Sequence, residues 1–241
     1  MQITIARRFC GPHTSGNGGY TCGRIASFIE GAAEVTLRAP PPLDTPLDVR
    51  RQDGTVVLLH GGAEIAHGRA VTLALEVPAP PAWDEAVAAG ARYNGHKGHA
   101  YDTCFVCGPS RGPGDGLRIF CGPWKNGMVA GTWLPDASLA GANGLVAPEF
   151  LWSAIDCPGS WSVIGRSDAD APVPAAPSSM LLGRLTGRVV RTLKVGEPCT
   201  ALGWLLDVEG RKYHVGSAVH TRAGDLVAFS RGTWFAPKPP G

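Results

Sequence analysis

Asp156 is the residue whose type and position most suggest chemistry. It lies near the end of an apolar segment, FLWSAIDC at residues 150–157, which is compatible with a helix. Burying a carboxylate is costly unless the group has a partner or a function. Asp156 is therefore a candidate catalytic base or nucleophile. The alternative is a structural role, in which Asp156 ends the helix beside Pro158 and Gly159 and bonds to nearby backbone groups.

A second candidate site lies near the start of the chain, where Asn17, Gly18 and Gly19 precede a helix-compatible run at residues 19–29. The first N–H groups of a helix have no partner within the helix, so they can bind an anion or a developing oxyanion. Glycines there let a ligand carbonyl approach the backbone closely. The competing interpretation is a turn with a tight helix–sheet contact. His13, in the preceding loop, is expected either to reach the site or to be solvated.

Side chains on the helix of Asp156 are further candidates. Glu149 and Ser153 lie one turn apart, and Ser153 lies about one turn before Asp156, so the three can share a helix face. We therefore expect Glu149 and Ser153 to contact a substrate, and we expect the same of Trp152 on this helix.

The cysteines raise the possibility of a metal site. Cys104 and Cys107 have the C-x2-C spacing of a zinc half-site, and His96, His99 and Cys121 are nearby in sequence. The chain has no second C-x2-C, and a single half-site is not a specific signal. The sequence therefore predicts no metal and no cofactor. The other four cysteines are interpreted as small apolar packing residues: Cys10, Cys22, Cys157 and Cys199.

Composition excludes several classes of protein. Of the 241 residues, 44% are hydrophobic and 17% charged, which is enough for a buried core, and the net charge of +2 provides no basic field for nucleic acid. No apolar run is long enough to span a membrane, and the first residues lack the apolar core of a signal peptide. Seven cysteines, an odd number spread along the chain, do not resemble a secreted disulfide framework. These features predict a cytoplasmic protein.

One order of elements occurs twice along the chain. In each half a helix-compatible run precedes several β-like runs, and Asp53-Gly54 and Gly61-Gly62 are hairpin signals. The first half has the helix at 19–29 and β-like runs at 34–42, 47–51, 55–60 and 63–75. The second half has β-like runs at 117–121 and 128–133, the helix at 147–155, and β-like runs at 181–191, 200–208, 211–221 and 226–235.

This order predicts an α+β fold with two repeats, each an antiparallel sheet wrapped around a central helix. The first repeat is expected at residues 1–77 and the second at 104–241. Residues 78–103 form a linker with a short helix at 83–93. The alternative is a single β-rich domain with an incidental helix in each half.

Several segments resemble hotdog thioesterases. FCGPHTSGNGGYTCGRIA, residues 9–26, resembles the start of the first helix in acyl-CoA thioesterase II-like proteins, and VTLRAPPPLDTPLDV, residues 35–49, resembles their next strand pair. Three segments of the second half are similar to phenylacetate-pathway-type thioesterases. Their opening resembles CFVCGPSRGPGDGLRIF (residues 104–120), their helix resembles GLVAPEFLWSAID (144–156), and their closing strand resembles GDLVAFSRGTWF (224–235). The resemblance covers most of the chain and implies a double hotdog fold.

The resemblance also implies a function. Asp156 stands at the position of the family's catalytic acidic residue, and the corresponding position of the first helix is Ala26. A single site between the repeats would therefore combine Asp156 with the amide donors at Asn17, Gly18 and Gly19. Tyr20, the aromatic residue that opens the helix, would contact the substrate. The expected substrate is an acyl thioester of coenzyme A or acyl-carrier protein, and homo-oligomers are common in the superfamily.

The chain departs from the family pattern at several positions. Ala147, Pro148 and Glu149 replace a His-Gly-Gly triplet, and proline has no N–H to donate. The family's aspartate works with a hydroxyl residue and a glutamine; Ser178 or Ser179 lies in the region of the hydroxyl, but the second repeat contains no glutamine, and Ser230-Arg231 occupies that position.

These departures leave two alternatives to hydrolysis: a hotdog hydratase or dehydratase, and a degenerate hotdog that binds an acyl thioester or lipid, or acts as a scaffold, without turnover. The loop at 165–179 is either a flap over the acyl tunnel or a plain connection. Scattered cations are candidates for binding coenzyme A phosphates: Arg111, Arg118, Lys125 and Arg166.

Overall fold

The computed structural model describes residues 1–164 and 177–238, in which eleven strands form one antiparallel sheet. Most of the loop at 165–179, including Arg166, lies outside the described residues. The elements, in chain order, are β1 (Gln2–Thr4), α1 (Gly18–Ala26), β2 (Ala33–Leu37), β3 (Pro46–Gln52), β4 (Thr55–His60), β5 (Ala63–Ala70), α2 (Trp83–Gly90), β6 (Gly122–Pro123), β7 (Val129–Trp133), α3 (Pro148–Ala154), α4 (Cys157–Ile164), β8 (Leu181–Val189), β9 (Cys199–Glu209), β10 (Lys212–Thr221) and β11 (Leu226–Phe235).

The sheet order is β1-β3-β4-β5-β2-β8-β11-β10-β9-β7-β6, so each half of the chain contributes a contiguous block of strands. The two blocks join where β2 pairs antiparallel with β8, in a register that places Ala33 opposite Gly187 and Thr36 opposite Arg184. The antiparallel sheet and its packed helices confirm the predicted α+β class. No helix in the described ranges is long and apolar enough to cross a membrane.

Most predicted elements lie where the sequence places them, but β1 and β6 were not predicted, and β2 ends at Leu37 and not at residue 42. Three further differences have identifiable contacts or causes. Residues 117–121 are not a strand, because the N–H groups of Leu117 and Ile119 donate to carbonyls of the 104–107 loop. β5 ends at Ala70, and the apolar residues that follow pack against the cluster containing Trp204 instead of continuing the strand. α4 was not predicted, since Pro158 and Gly159 were interpreted as a stop; proline is tolerated in the first turn of a helix, where its missing N–H is not needed.

Close contact between α1 and α3 depends on two glycines of α1. A Cβ added at Gly19 would lie 2.5 Å from the Cβ of Asp156, and one added at Gly23 would lie 2.7 Å from the Cα of Glu149. Gly19 and Gly23 are four residues apart and therefore share one helix face. The two helices can approach closely along this face, which brings Asp156 next to the N-terminus of α1.

A buried histidine on β10 is expected to make the stability of the fold depend on pH. His220 is buried, its Nδ1 has no hydrogen-bond partner among the described residues, and burial lowers its pKa. The unfolded chain, with an ordinary histidine pKa of about 6.5, therefore binds a proton more readily than the folded chain. The contribution of His220 to the free energy of unfolding is therefore expected to hold above about pH 6.5 and to fall as the pH drops below it.

Denaturant unfolding of wild type and His220→Leu at about pH 7.5 and about pH 5.5 checks this expectation. His220→Leu should lose less stability between the two pH values than wild type does. Equal losses in the two proteins would show that His220 does not contribute to the pH dependence.

Candidate functional site

A cavity of about 350 Å³ lies where the N-terminus of α1 meets the junction of α3 and α4. Asn17, Gly18 and Asp156 lie on one part of its wall. Apolar side chains form another part: Leu37, Pro41, Ile164, Met180, Leu182, Trp234 and Phe235. The cavity thus combines an apolar region with a few polar groups that converge on one spot, as small-molecule sites commonly do.

Asp156 lies in the two-residue turn between α3 and α4, not within a helix as the sequence predicted. Its side chain is buried, with 1% of the residue exposed. The backbone of the turn is held by Ser230, whose Oγ donates to the carbonyl of Ile155 at 2.7 Å. Ser230, placed by the resemblance at the position of the family's glutamine, therefore supports the turn that carries Asp156.

The carboxylate of Asp156 is bound by α1 and not by its own helix. Its Oδ2 accepts from the backbone N–H of Gly19 at 3.0 Å and from Nδ2 of Asn17 at 3.1 Å. Asn17 is also the N-cap of α1, since its Oδ1 accepts from the N–H of Tyr20 at 2.8 Å. One amide side chain therefore caps the helix and orients the buried acid.

The second oxygen, Oδ1, is buried and has no hydrogen-bond partner among the described residues. Burial raises the pKa of Asp156 to about 7, although the hydrogen bond from Gly19 opposes the shift. The charge of a nearby Cys104 thiolate raises the pKa further, while the bond from Asn17 lowers it. The result is a carboxyl group with one oxygen held by α1 and the other without a hydrogen-bond partner in the described part of the chain.

Gly18 and Gly19 have different environments. The N–H of Gly19 donates to Asp156, so in this structure it orients the carboxylate and does not point to a ligand carbonyl. Gly18 is the first residue of α1 and lines the cavity. Its N–H belongs to the first turn, whose amides have no acceptor within the helix.

Two of the expected substrate contacts, Tyr20 and Trp152, lie in the core. The ring of Tyr20 stacks on Phe9 with the centroids 4.2 Å apart, and Trp152 is buried against β8, where a Cβ at Gly187 would lie 3.0 Å from its ring. Neither residue lines the cavity in the described part of the chain. Both are positioned to hold α1 and α3 in place.

Three further expected contacts, Ser153, Glu149 and His13, also do not line the cavity within residues 1–164 and 177–238. The Oγ of Ser153 donates to the carbonyl of Glu149 at 2.8 Å, so its hydrogen-bonding capacity is used inside α3. His13 is exposed, with Nε2 3.2 Å from a carboxylate oxygen of Asp102. The predicted face of Glu149, Ser153 and Asp156 therefore does not form a joint site.

A group that sequence reasoning missed lies on the same cavity wall. The sulfurs of Cys104, Cys107 and Cys157 all lie within 4.8 Å of one another, and the three residues line the cavity. The C-x2-C spacing was the signal for the first two. The sequence could not indicate that Cys157, interpreted as a packing residue, joins them.

The other residues of the predicted half-site are located elsewhere. The His96 ring packs against Tyr93 and Phe120, and the Cys121 sulfur lies 3.9 Å from the carbonyl oxygen of Ala201. His99 remains near, with Nε2 3.3 Å from the sulfur of Cys107. All seven cysteines are buried and unpaired.

The cations expected to bind phosphate have other contacts. Arg111 is buried, and its guanidinium donates to the carbonyl of Thr103 and to the sulfur of Cys10. Arg118 and Lys125 lie over aromatic rings. Arg38, which sequence reasoning did not single out, lines the cavity and is exposed, with Glu64 3.7 Å away.

Asn17→Ala is expected to destabilise the chain by about 2–4 kcal/mol, because it removes a helix cap worth about 1 kcal/mol and a hydrogen bond to a buried carboxylate worth about 1.5–3 kcal/mol. Asn17→Ser keeps an N-cap oxygen but lacks the long amide arm, so it should recover the capping part only. Denaturant unfolding of the three proteins measures the two contributions. Equal stabilities for Asn17→Ala and wild type would mean that neither bond contributes.

No protein-family model matches the sequence, and no curated protein matches it. Solved structures do match over nearly the whole chain. A candidate thioesterase from Novosphingobium aromaticivorans has a TM-score of 0.62 and 12% identity, with coverage of 98% of this chain and 95% of that one. An acyl-CoA thioesterase II from Mycobacterium marinum has a TM-score of 0.60 and 11% identity, with coverage of 100% and 93%.

A conserved hotdog-fold protein of unknown function from Alicyclobacillus acidocaldarius has a TM-score of 0.58 and 11% identity, with coverage of 99% and 93%. At these identities the similarity shows the fold alone. The chain therefore has a hotdog-like α+β fold.

Proposed function

We propose that this chain is a double-hotdog acyl-thioester hydrolase in which Asp156 activates the attacking water. The observation that carries the proposal is the buried carboxylate of Asp156 on the wall of a largely apolar cavity. Its Oδ2 is held by Gly19 and Asn17, and its Oδ1 has no hydrogen-bond partner among residues 1–164 and 177–238. A positioned carboxylate beside an apolar channel suits an acyl substrate whose reacting carbon lies at the polar end of the channel.

Each group of the site has a step in the proposed reaction. Asp156 Oδ1 takes a proton from a water, whose oxygen attacks the thioester carbonyl carbon. The resulting oxyanion is stabilised by the Gly18 N–H and by the positive end of the α1 dipole. The C–S bond then breaks, the leaving thiolate takes the proton from Asp156, and the products are a carboxylic acid and a free thiol.

The apolar wall indicates where the acyl chain would lie. Leu182, Met180 and Ile164 line the cavity together with the aromatic residues Trp234 and Phe235. An acyl chain bound against these side chains would be removed from water, which favours substrates with an apolar acyl group. Arg38 is exposed on the same cavity, where it is placed to contact a phosphate of coenzyme A or an acidic side chain of a carrier protein.

The proposal includes the predicted division into a first repeat at 1–77, a linker at 78–103 and a second repeat at 104–241. Support comes from the contiguous strand blocks of the two halves and from their junction at β2 and β8. Asn17 and Gly19 from the first repeat and Asp156 from the second would then form one shared site. Cytoplasmic localisation, in keeping with seven unpaired thiols, and self-association stay predictions.

The test is thiol release from a panel of short-chain, long-chain and aromatic acyl-CoAs, with a parallel assay for hydration of an enoyl-CoA. Turnover with thiol release supports the hydrolase. Hydration without thiol release would instead support the hydratase alternative, to which His99 on the same cavity could contribute. Tight acyl-CoA binding with neither reaction would indicate a non-catalytic binding protein.

A further inference from the structure

Three cysteine sulfurs from two distant segments meet on the wall of the cavity. Cys104 and Cys107 lie in the loop before β6, and Cys157 is the first residue of α4. The three sulfurs are within 4.8 Å of one another, and those of Cys104 and Cys157 are 3.8 Å apart. Tetrahedral zinc with Zn–S bonds of about 2.3 Å places two sulfur ligands about 3.8 Å apart.

The loop that carries the C-x2-C pair is folded tightly. The N–H of Gly108 donates to the carbonyl of Cys104 at 2.9 Å. A Cβ at Gly108 would lie 2.5 Å from the backbone nitrogen of Cys104, so only glycine fits. The loop backbone therefore fixes the positions of the two cysteines of the C-x2-C pair.

Side chains next to the sulfurs provide hydrogen-bond donors. Nδ2 of Asn17 lies 3.8 Å from the sulfur of Cys104, and Nε2 of His99 lies 3.3 Å from that of Cys107. The Nδ1 of His99 accepts from the N–H of Tyr101 at 2.9 Å, so in the neutral ring the proton is on Nε2. His99 therefore donates to the sulfur and is not itself a ligand. Such donors offset the charge of several thiolates and fix the ligands in place.

We propose that Cys104, Cys107 and Cys157 bind a zinc ion, with the fourth coordination position open to the cavity. All three ligands line the cavity, and the sulfur of Cys157 is 3.8 Å from Oδ2 of Asp156, so the ion would be held next to the proposed catalytic acid. Zinc sites with three protein ligands and an open position bind a water or a substrate atom there. This arrangement differs from a closed structural site, in which four protein ligands surround the ion.

The experiment measures metal content and cobalt spectra. Chain purified under reducing conditions should contain about one zinc ion, and cobalt reconstitution should produce sulfur-to-cobalt charge-transfer absorption. Loss of a group that only hydrogen-bonds to a metal ligand lowers metal affinity roughly 10–100-fold. Cys157→Ala removes a ligand itself, so it should lower metal affinity by more than that. Cys121→Ala is the matched control, since Cys121 is equally buried but lies outside the cluster, and it should bind as wild type does.

A second measurement covers the case in which Cys157→Ala does not fold. A metal that binds only the folded state raises the Tm, so wild type stripped with a chelator should gain Tm when zinc is restored. No cobalt absorption and no Tm gain in wild type would overturn the proposal. A thiol count that reveals a Cys104–Cys157 disulfide after purification under reducing conditions would overturn it as well.

The zinc proposal and the hydrolase proposal can fail independently of each other. A chain that binds zinc through the three cysteines but releases no thiol from any acyl-CoA keeps the metal site and loses the hydrolase. A chain that hydrolyses acyl-CoA but shows neither cobalt absorption nor a Tm gain with zinc keeps the hydrolase and loses the metal site.

Discussion

Asp156→Asn is expected to lower kcat for thioester hydrolysis by about 10²–10⁴-fold, the contribution of a positioned general base. The asparagine keeps an oxygen that accepts from Gly19 and Asn17, and it places an NH₂ group where Oδ1 lies. The amide cannot take a proton from water, so only the chemical step is lost. KM should change much less than kcat, because the groups that contact the acyl chain are not altered.

The same variant should be at least as stable as wild type. The carboxylate is buried, so replacing it with a neutral amide of the same shape removes a desolvation cost. Thermal unfolding therefore separates a loss of catalysis from a loss of fold. Asp53→Asn is the matched control, because Asp53 is exposed in a turn with φ of 48°, a conformation that asparagine tolerates, and it should keep the wild-type rate.

The result that would contradict this role is specific. If Asp156→Asn hydrolyses acyl-CoA at the wild-type rate, Asp156 serves only to join α1 to the α3–α4 turn. Metal content measured on the same samples should not change, which excludes loss of the proposed zinc ion as the cause of a lower rate.

Gly23→Ala is expected to lower the free energy of unfolding by about 1–3 kcal/mol or more, the usual cost of overpacking a core. Its Cβ would lie 2.7 Å from the Cα of Glu149 and 2.8 Å from the Cβ of Trp152. The first of these atoms is backbone and cannot move away alone, so α1 and α3 must separate. In an unconstrained helix the same substitution stabilises by about 1 kcal/mol, so the sign of the effect reports on the packing.

Denaturant unfolding measures this effect, with Gly98→Ala as the control. Gly98 is exposed, and a Cβ there would meet no atom within 4 Å, so the change should stay within about 0.5 kcal/mol of wild type. A more stable Gly23→Ala protein would show that the helices do not pack through this glycine. Separation of the helices should also lower hydrolysis, since Asp156 is bound by the N-terminus of α1.

The class of fold and most of its elements could be predicted from the sequence because they depend on local patterns. Apolar runs bounded by turn residues predicted β4 and β11 with the bounds that the structure has. α4 was missed because Pro158 and Gly159 are read locally as a stop, whereas the structure uses the proline inside the first turn of a new helix.

The residues of the candidate site could also be predicted from the sequence, but their arrangement could not. Asp156, Asn17 and Gly19 were recognised singly, from a carboxylate in an apolar segment and from glycines before a helix. That they meet was decided by the tertiary structure, because Asn17 and Asp156 are 139 residues apart and are joined by the close crossing of α1 and α3. Tyr20 and Trp152 were assigned to the substrate by resemblance and helix position, but side-chain packing directs both into the core.

The cysteines show most clearly the difference between what the sequence determines and what the tertiary structure decides. The sequence by itself determined a C-x2-C loop and a helix pattern near Cys157, since both are local spacings. Only the tertiary structure decided that Cys157 joins Cys104 and Cys107 while Cys121 does not. The physical reason is that spacing along a chain constrains contacts over a few residues, whereas contacts between segments are set by how the helices and the sheet pack.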